Sequence, residues 1–427
     1  MFSNIFFFYT TNECLWYNMI GGNMERIIFH IDVNNAFLSW SAIDLLNHGS
    51  KLDIRDSYAV IGGDEKSRHG IVLAKSMPAK KRGVKTGESL YQARKKVPAL
   101  KMYPPNYLWY QKMSKSLFEL LSKYTDDIEV ASIDECYLDY GKVKKLYGDE
   151  IEFAYRLKEE VYNTLGFTVN IGIANNKLCA KMASDFSKPN KVHTLYQSEV
   201  EKKMYPLPIG DLFGVGRRTC EKLLKLGIHT IGDLAHADPK RLNPYLKNQS
   251  IDFIRRAQGY DDSPVLKNEG DPKGISNSVT LPRDLNDLEE MNFIIHGIVE
   301  NVTRSLRKQK KYASVVAIII KDKFFKSYSH QRKLKNATDL SEEIYQVAKE
   351  LLKECWNHEP VRLLGVRLDQ LTEENHHQVS LFESVDNRER DTKLEHLIDA
   401  IQDKYGDRAI KKATLIDHPV KKKYLNH

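Results

Sequence analysis

The alternation of apolar and polar residues predicts strands and helices mixed along the first half of the chain. The apolar run at 26–33 predicts a buried strand, and the segment NNAFLSWSAIDLLNHG after it has helical spacing that includes Phe37 and Trp40. The runs YAVIGG, GIVLAKS and FTVNIGIA predict further strands. Helical periodicity covers 108–124 and 150–164. Together these elements predict an α+β domain with an inserted lobe.

The segment ASIDECYLDY predicts a hairpin at 128–140 that carries two adjacent carboxylates, Asp134 and Glu135, at its tip. A two-residue turn prefers Asn-Gly or Asp-Gly, so this pair is poor turn chemistry. Neighbouring side chains of a strand point to opposite faces, so the two acids can contact the same ligand only where a turn or bulge interrupts the strand. The concentrated negative charge indicates a hard cation as that ligand.

A further carboxylate, Asp32, stands at the end of the first predicted strand, in the sequence HIDVNNAF. A buried carboxylate without a partner is costly, so this position favours a metal ligand. Phosphoryl transfer commonly uses two cations about 3.5–4 Å apart, and such a pair needs a carboxylate beyond those of the hairpin. The alternative is that Asp32 only caps the helix that follows.

The segment 210–234 predicts a helix-hairpin-helix pattern, because Gly214-Val-Gly216 precedes one helix and the turn LGIHT precedes a second. Glycines let a backbone approach closely, and amides at a helix N-terminus bind phosphate. Arg217 and Arg218 would add salt-dependent affinity. The pattern favours sequence-independent contact with a nucleic-acid backbone.

The composition excludes a disordered chain and leaves the partner open. The 427 residues suggest about two to four domains, and a hydrophobic content of 41% allows real cores. Lys plus Arg at 65 against Asp plus Glu at 57 gives a net charge of +8, which suits a nucleic-acid binder and equally an ordinary basic protein. Five cysteines without C-x-x-C spacing indicate reduced thiols, a cytoplasmic location and no structural zinc.

The first 23 residues are rich in aromatic side chains but lack a basic segment, and polar residues interrupt them before membrane-spanning length. We expect no signal peptide, no transmembrane helix and no membrane contact. The predicted strand that begins shortly after Met24 is typical of the first element of a fold. Residues 1–23 are therefore interpreted as an extension that is not part of the fold.

Two charged segments have competing interpretations. The run KKRGVK at 80–85 is either a solvated loop or a contact for a triphosphate. The GGDE sequence at 62–65 is similar to the GGDEF hairpin of diguanylate cyclases, but Lys66 replaces the Phe and another charged turn follows. We interpret the acids of this second segment as part of a solvated loop.

Five motifs occur in the order found in the Y-family translesion DNA polymerases: HIDVNNAF, GGDEKSRHGIVLAKS, ASIDECYLD, NIGIANNKLCAKMASDFSKPN and GVGRRTCEKLLKLGIHTIGDL. The chain resembles this family over residues 24–427. The resemblance implies a multidomain α+β fold, the right-hand polymerase. The implied domains are a palm (24–36 and 101–200), fingers (37–100), a thumb with the helix-hairpin-helix (201–262), a linker (263–275), a little finger (276–376) and a tail (377–427).

The resemblance also implies an activity, in which deoxynucleotides are added to a primer 3′-hydroxyl with two Mg²⁺ ions, at low fidelity and without proofreading. The implied partners are primer-template DNA, deoxynucleoside triphosphates and a sliding clamp, with the enzyme a monomer. The implied site residues are Asp32, Asp134 and Glu135 with the Val33 carbonyl as metal ligands, Phe37 as the gate against a ribose 2′-hydroxyl, and Lys80 and Lys188 at the triphosphate.

The chain departs from the family pattern at three positions. Asn34 stands where many relatives have Asp, and it can ligate or hydrogen-bond but carries no charge. Met77 and Lys80 stand where relatives often have Tyr and Arg in the fingers. Lys80 replaces the charge but not the bidentate grip of Arg.

The C-terminal third has the features of a nucleic-acid grip. The segment KSYSHQRKL is predicted by period two to place Ser327, Ser329 and Arg332 on one face of a strand, as phosphate contacts. The alternative is an ordinary exposed strand.

The segment QVSLF resembles the peptide by which bacterial polymerases bind a sliding clamp, with Gln378, Leu381 and Phe382 as its contacts. The competing interpretation is that its apolar pair packs back on the little finger or on a helix at 391–405.

Two other function classes were weighed. A catalytically silent family member that recruits repair proteins would be expected to lose the acids at 32, 134 and 135, which this chain retains. A helix-hairpin-helix base-excision glycosylase would have no use for the SIDE or SKPN motifs.

Overall fold

The computed structural model describes residues 26–63, 70–267, 270, 272–374, 385–406 and 409–410. The chain divides into two compact units, the first made mainly of residues before 270 and the second mainly of residues from 270 onward. The predicted extension at 1–23, the acids of the GGDE segment and the QVSLF peptide lie outside the described residues. Within the described part of the chain, every helix is too short or too polar to span a bilayer.

The described residues up to 267 cover the predicted palm, fingers and thumb, and these names are used below for the three predicted regions. The strands are β1 (Ile28–Val33), β2 (Ala59–Gly62), β3 (Val72–Lys75), β4 (Lys101–Tyr103), β5 (Ile128–Val130), β6 (Glu135–Asp139), β7 (Val169–Ala174) and β8 (Val192–Thr194). The helices are α1 (Ala36–Asn47), α2 (Met77–Lys81), α3 (Leu90–Lys96), α4 (Tyr107–Leu121), α5 (Lys144–Tyr147), α6 (Glu150–Leu165), α7 (Lys177–Asp185), α8 (Val200–Lys203), α9 (Arg217–Lys225), α10 (Ile231–Ala235), α11 (Pro239–Leu246) and α12 (Ser250–Ala257).

The palm is a five-stranded sheet in the order β5-β6-β1-β7-β8. The central strand β1 is antiparallel to both β6 and β7 and is buried along its whole length, which explains its continuous apolar run. Helix α6 packs the apolar side chains Phe153, Leu157 and Val161 into the same core. Its first turn is capped by the Asp149 carboxylate, which accepts hydrogen bonds from two backbone amides.

The fingers contain a three-stranded sheet in the order β3-β2-β4. The division predicted at residue 100 therefore falls just before the last strand of this sheet. Helix α1 serves both subdomains, because Trp40 is buried in the palm core whereas Leu38 is buried in the fingers core. The basic segment predicted as a loop begins with the short helix α2, whose first turn is capped by the Ser76 hydroxyl.

The thumb contains the predicted helix-hairpin-helix, with α9 and α10 joined by a short turn. Thr230 begins α10 with a capping box in which its hydroxyl and the Asp233 carboxylate satisfy backbone amides reciprocally. Leu223 and Ile231 of these helices are fully buried, in a core that also includes Leu178 of α7. The thumb core is therefore continuous with the helix that precedes the SKPN motif.

The second unit is built on a four-stranded antiparallel sheet in the order β11-β10-β12-β9. Two long helices pack on one of its faces and bury a single apolar core. Its elements are β9 (Gly274–Leu285), α13 (Leu288–Lys308), β10 (Tyr312–Asp322), β11 (Ser327–Thr338), α14 (Ser341–Cys355), β12 (Val361–Thr372) and α15 (Val385–Tyr405). Part of the predicted tail is thus the helix α15, and its acidic side chains pair with α13.

Candidate active site

Two neighbouring strands of the palm bring the predicted acids together. Asp32 of β1 is paired directly with Glu135, the first residue of β6, so their side chains share one face of the sheet. Asp134 lies in the turn before β6, and its carbonyl accepts a hydrogen bond of 3.0 Å from the Val33 amide. The predicted pair at the hairpin tip is therefore split, because the turn spans 131–134 and Glu135 already belongs to the strand. Cross-strand pairing joins Glu135 to Asp32.

Asp32 is a strand residue and not the helix cap that the alternative required. The position before α1 is occupied by Asn35, which has a φ of 51° and makes no side-chain cap. Asp32 is almost fully buried, with 7% of its surface exposed. A carboxylate with so little solvent needs a cationic partner.

Two lysines supply positive charge to these acids. Lys188 of the SKPN motif places its Nζ 2.8 Å from Asp32 Oδ1 and 2.8 Å from Asp185. Lys181 of α7 places its Nζ 2.6 Å from Glu135 Oε2 and 3.8 Å from Asp32 Oδ2. Lys188 was predicted from the sequence, whereas Lys181 was missed. Its one sequence signal is the spacing of four residues between Lys181 and Asp185 on a helix.

The pKa values of Asp32 and Glu135 are shifted in opposite directions. Burial raises the pKa of Asp32, although Lys188 opposes that shift. The hydrogen bond from His30 and the nearby Lys181 ammonium lower the pKa of Glu135 to about 2. Glu135 is therefore held as a carboxylate by its neighbours, whereas the charge on Asp32 is the less stable of the two.

His30 is a second residue that sequence reasoning missed. It is fully buried in β1, and its Nε2 lies 3.1 Å from Glu135 Oε2. Because a carboxylate only accepts, the Nε2–H donates, and Nδ1 lies 2.8 Å from the Ser184 hydroxyl. Burial lowers the pKa of His30, which favours the neutral ring. A histidine inside an otherwise apolar strand was the available signal.

Asn34 makes contacts that explain why an amide stands at this position. Its Nδ2 donates to Asn170 Oδ1 at 3.0 Å, and its Oδ1 accepts from the Asn190 amide at 2.7 Å. An aspartate could not make the first of these bonds, because it has no N–H. Asn170 in turn donates to the Ser187 carbonyl. The amide network thus fixes both sides of the loop that carries Lys188.

The predicted gate residue, Phe37, lies in α1 and is partly buried in the palm core. Its ring stacks on Tyr110 with centroids 4.8 Å apart and meets the edge of Tyr107 at 6.3 Å. Two aromatic contacts hold the ring in one orientation.

The other predicted nucleotide residue, Lys80, is exposed on α2, and Met77 begins the same helix. The ion pairs of the acids described above are made with Lys181 and Lys188 and not with Lys80. The structure therefore brings Lys188, but not Lys80, into contact with the acids.

The predicted phosphate contacts of the thumb lie at the start of α9. Gly214 has a φ of +93°, which a side chain would strain, and a Cβ there would approach the Arg256 guanidinium at 2.7 Å. Gly216 begins α9, and open space surrounds its Cα. The Arg217 side chain is 91% exposed, and its Nε donates to the exposed Glu221 carboxylate on the next turn at 2.9 Å. Backbone amides and an exposed cation therefore face outward together.

The prediction that Ser327, Ser329 and Arg332 share one face of β11 is wrong for Arg332. Strand β11 pairs with β10 without a bulge between Ser327 and Lys333, so Ser327 and Ser329 share the exposed face and Arg332 points to the other. Arg332 instead contacts Glu350 and Glu354 of α14. The prediction is wrong because 329 and 332 are three positions apart, and side chains an odd number of positions apart point to opposite faces of a strand.

The acids fit a hard divalent cation by their donor chemistry. Carboxylate oxygens are the ligands that Mg²⁺ prefers. Among the described residues, no three acids converge on one point at ligand distance, because Lys181 and Lys188 hold two of them and the Ser132 hydroxyl holds Asp134 at 2.6 Å. Asp32 and Glu135 already hold the ammonium groups of Lys188 and Lys181, so the site accommodates positive charge.

Family models match most of the chain. The impB/mucB/samB family matches residues 31–185, the IMS family HHH motif matches 198–228, and the impB/mucB/samB C-terminal domain matches 272–381. The DNA polymerase IV of Clostridium acetobutylicum is 45% identical over 395 residues, which cover 92% of this chain and 99% of the relative. The DNA polymerase IV 1 of Bacillus subtilis is 34% identical over 401 residues, which cover 92% and 94%.

Solved structures give the same fold. A Y-family DNA polymerase chimera of Dbh and Dpo4 matches with a TM-score of 0.70 at 24% identity, over 82% of this chain and 100% of that chain. The insertion ternary complex of Dbh DNA polymerase matches with a TM-score of 0.58 at 25% identity, with the same coverage.

The fold and the paired strand-end acids define the class as a Y-family polymerase, which confirms the predicted right-hand architecture. Enzymes of this class depend on metal ions. The chain belongs to the DNA polymerase IV family, and it is a DNA-directed DNA polymerase of the translesion type.

Proposed function

We propose that the enzyme uses two Mg²⁺ ions, held by Asp32, Asp134, Glu135 and the Val33 carbonyl, to join a deoxynucleotide to a primer 3′-hydroxyl. The observation that carries this proposal is the direct cross-strand pairing of Asp32 with Glu135 beside two lysine ammonium groups. When bound, the ions would activate the attacking oxygen and stabilise the leaving oxygen.

Three lysines and a histidine have separate roles beside the metal ligands. Lys188 has a side chain that is 35% exposed, so it can leave Asp32 and reach the incoming triphosphate. Lys181 is 11% exposed and stays beside Glu135, where it limits repulsion among the acids. His30 orients Glu135 by its hydrogen bond. Lys80, on the exposed side of α2, is the second contact that we assign to the triphosphate.

Primer extension tests the assignment of the acids. The wild type is compared with Asp134→Ala and with the Asp134→Ala/Glu135→Ala double variant, on undamaged and abasic templates with Mg²⁺. We expect distributive synthesis without removal of mismatched primer ends by the wild type, and loss of synthesis by both variants. Equal extension by all three proteins would contradict the assignment of the acids, and absence of extension by the wild type would favour a silent scaffold that recruits other proteins.

We infer that Phe37 lies under the sugar of the incoming nucleotide. Its ring is fixed by Tyr110 and Tyr107 and is only partly buried, so it can form a rigid wall. The Phe37→Ala variant should incorporate ribonucleotides much more readily while it keeps the metal ligands. Unchanged sugar discrimination would contradict the gate and would leave Phe37 as a packing residue.

We propose that DNA is gripped by two surfaces. The amides at Gly214 and Gly216 with Arg217 would contact one stretch of backbone, and Ser327 and Ser329 on the exposed face of β11 would contact another. Small side chains on this strand let phosphates approach closely. The structure gives no support to the same role for Arg332, which is occupied by two glutamates.

The QVSLF segment is proposed as the tether to a sliding clamp, with Gln378 as a hydrogen-bonding anchor and Leu381 and Phe382 as apolar anchors. Burying two such side chains contributes about 3–6 kcal/mol before ordering costs, enough for an exchangeable contact. Replacing Leu381 and Phe382 with Ala should abolish clamp binding and leave basal synthesis intact; unchanged clamp binding would contradict the tether. We further propose that the enzyme acts as a monomer in the cytoplasm, where its DNA substrate lies.

A further inference from the structure

The hairpin between β10 and β11 has two adjacent phenylalanines at its tip, and both side chains are exposed. Phe324 is 69% exposed and Phe325 is 64% exposed. Exposed aromatic pairs of this kind lose hydrophobic stabilisation and commonly mark a contact surface. This hairpin tip, residues 322–326, is not part of any site described above.

The turn itself is well ordered by Asp322. Its side chain is almost fully buried, and its Oδ1 accepts hydrogen bonds from the amides of Phe324 at 2.8 Å and Lys326 at 3.0 Å. The Phe325 amide donates to the Asp322 carbonyl at 3.0 Å. The backbone therefore presents both rings from a fixed scaffold.

Phe325 is a poor choice for the geometry of this turn. Its φ is 64°, in the left-handed region that glycine and asparagine adopt readily and a bulky aromatic residue does not. Turn formation alone would favour Gly or Asn here. An exposed aromatic ring kept at a strained position indicates that the ring has a use outside the fold.

Each ring has a cation over it. The Lys323 ammonium lies 4.8 Å from the centre of the Phe324 ring, and the Arg362 guanidinium lies 4.5 Å from that of Phe325. Two acids accompany these cations: Glu359 pairs with Lys323 at 3.3 Å, and the buried Asp322 belongs to the turn itself. Lys326 adds a further positive charge at the tip, so the surface combines aromatic faces with an excess of cations.

We propose that this hairpin tip binds an unpaired stretch of template DNA by stacking bases on Phe324 and Phe325. Aromatic faces with adjacent cations match single-stranded nucleic acid, in which bases are free to stack and phosphates lie close by. Bases inside a duplex have both faces covered, so a duplex would use the cations and leave the rings without a partner. On binding, Lys323 and Arg362 would move from the rings to phosphates.

The inference rests on the polymerase function and is tested separately from it. Binding is measured by fluorescence anisotropy with oligothymidylate and with two primer-template duplexes, one with a short and one with a long template overhang. The variants are Phe324→Leu/Phe325→Leu, which keeps apolar bulk, and Phe325→Asn, which suits the backbone of the turn. The control is Leu394→Ala/Leu397→Ala, which removes two other exposed apolar side chains of the same unit, 51% and 58% exposed.

We expect both phenylalanine variants to bind oligothymidylate and the long overhang about tenfold more weakly and the short overhang as the wild type does. The leucine control should bind all three DNAs normally. Primer extension on the short overhang should be unchanged, so a failure of the inference leaves the polymerase assignment intact.

Three results would overturn the inference. Equal affinity of variants and wild type for the long overhang would exclude stacking, and an equal loss on both overhangs would indicate a general effect on the domain. Normal DNA binding together with lost binding to the sliding clamp would show that the rings dock on a protein.

Discussion

Basic side chains pair with carboxylates in the palm and again between α13 and α15, and the two clusters differ in how their charges balance. In the palm, Asp32, Asp134 and Glu135 lie at or beside the ends of strands, whereas Asp185 is the last residue of helix α7. Among the described residues, the lysines that form ion pairs with these acids are Lys181 and Lys188. Four carboxylates against two ammonium groups leave a surplus of two negative charges. Divalent cations bound at this site would offset such a surplus.

In the C-terminal cluster, the following ion pairs of the described residues are balanced in charge. Arg307 is 3% exposed at its side chain and contacts Glu395 at 3.1 Å and Asp399 at 2.6 Å. Arg304 and Lys308 pair with Asp403 at 2.6 and 2.9 Å. Three basic side chains meet three acidic ones, and Arg307 also donates to the Asp339 carbonyl.

The difference teaches how to separate a functional cluster of charges from a structural one. Both clusters are partly buried, so burial alone does not distinguish them. The balanced cluster attaches α15 to α13, and its removal should affect folding. The unbalanced cluster includes Lys188, whose partly exposed side chain can move away from Asp32, and removal of its acids should affect catalysis.

The largest effect is expected for Asp32→Asn. Synthesis should fall by roughly 10³-fold, because a ligand and a negative charge are lost from the transition state. The free energy of unfolding should not decrease, because burial already raises the pKa of Asp32 and disfavours its charge. Primer extension and denaturant unfolding are measured on the same protein. Retained synthesis, or a large loss of unfolding free energy, would contradict the claim that the palm cluster is functional and not structural.

A large effect on stability is expected for Arg307→Met. Removing one side of a buried ion pair leaves Glu395 and Asp399 without their partner and should cost about 3–5 kcal/mol of unfolding free energy. The matched control is Lys308→Ala, whose pair with Asp403 is about half exposed and should contribute little to the free energy of unfolding. Synthesis at a temperature where the variant is folded should be normal. Equal stability of both variants would show that the cluster is not structural.

A smaller effect is expected for His30→Ala. Loss of the hydrogen bond to Glu135 should weaken metal affinity about 10–100-fold, with the rate at saturating Mg²⁺ largely restored. The conservative variant His30→Gln, which can still donate to Glu135, should recover part of the affinity. Rates are measured across a Mg²⁺ titration, and Mn²⁺ binding is measured directly. If the Mg²⁺ concentration needed for synthesis were unchanged in the variant, His30 would have no role in the metal site.

The sequence predicted the parts of the site that depend on local pattern. The strand containing Asp32, the hairpin before Glu135 and the helices around the Gly214 turn all follow from periodicity and turn chemistry. Cross-strand register is not local, so the pairing of Asp32 with Glu135 was not predicted.

Buried polar partners were the other gap. Lys181 and His30 look like surface and core residues in the sequence, and only packing shows that both reach Glu135. The docking of α15 was missed for the same reason, because the partner of each of its acids lies far away in the chain.

Direct metal binding is the measurement that most closely tests the claim that the palm cluster is a cation site. Mn²⁺ is titrated into the protein with primer-template DNA and a non-hydrolysable deoxynucleotide, and bound metal is followed by electron paramagnetic resonance. The wild type and Arg307→Met should bind alike, whereas Asp32→Asn/Glu135→Gln should bind at least about 100-fold more weakly. Binding by the double variant that equals that of the wild type would contradict the account.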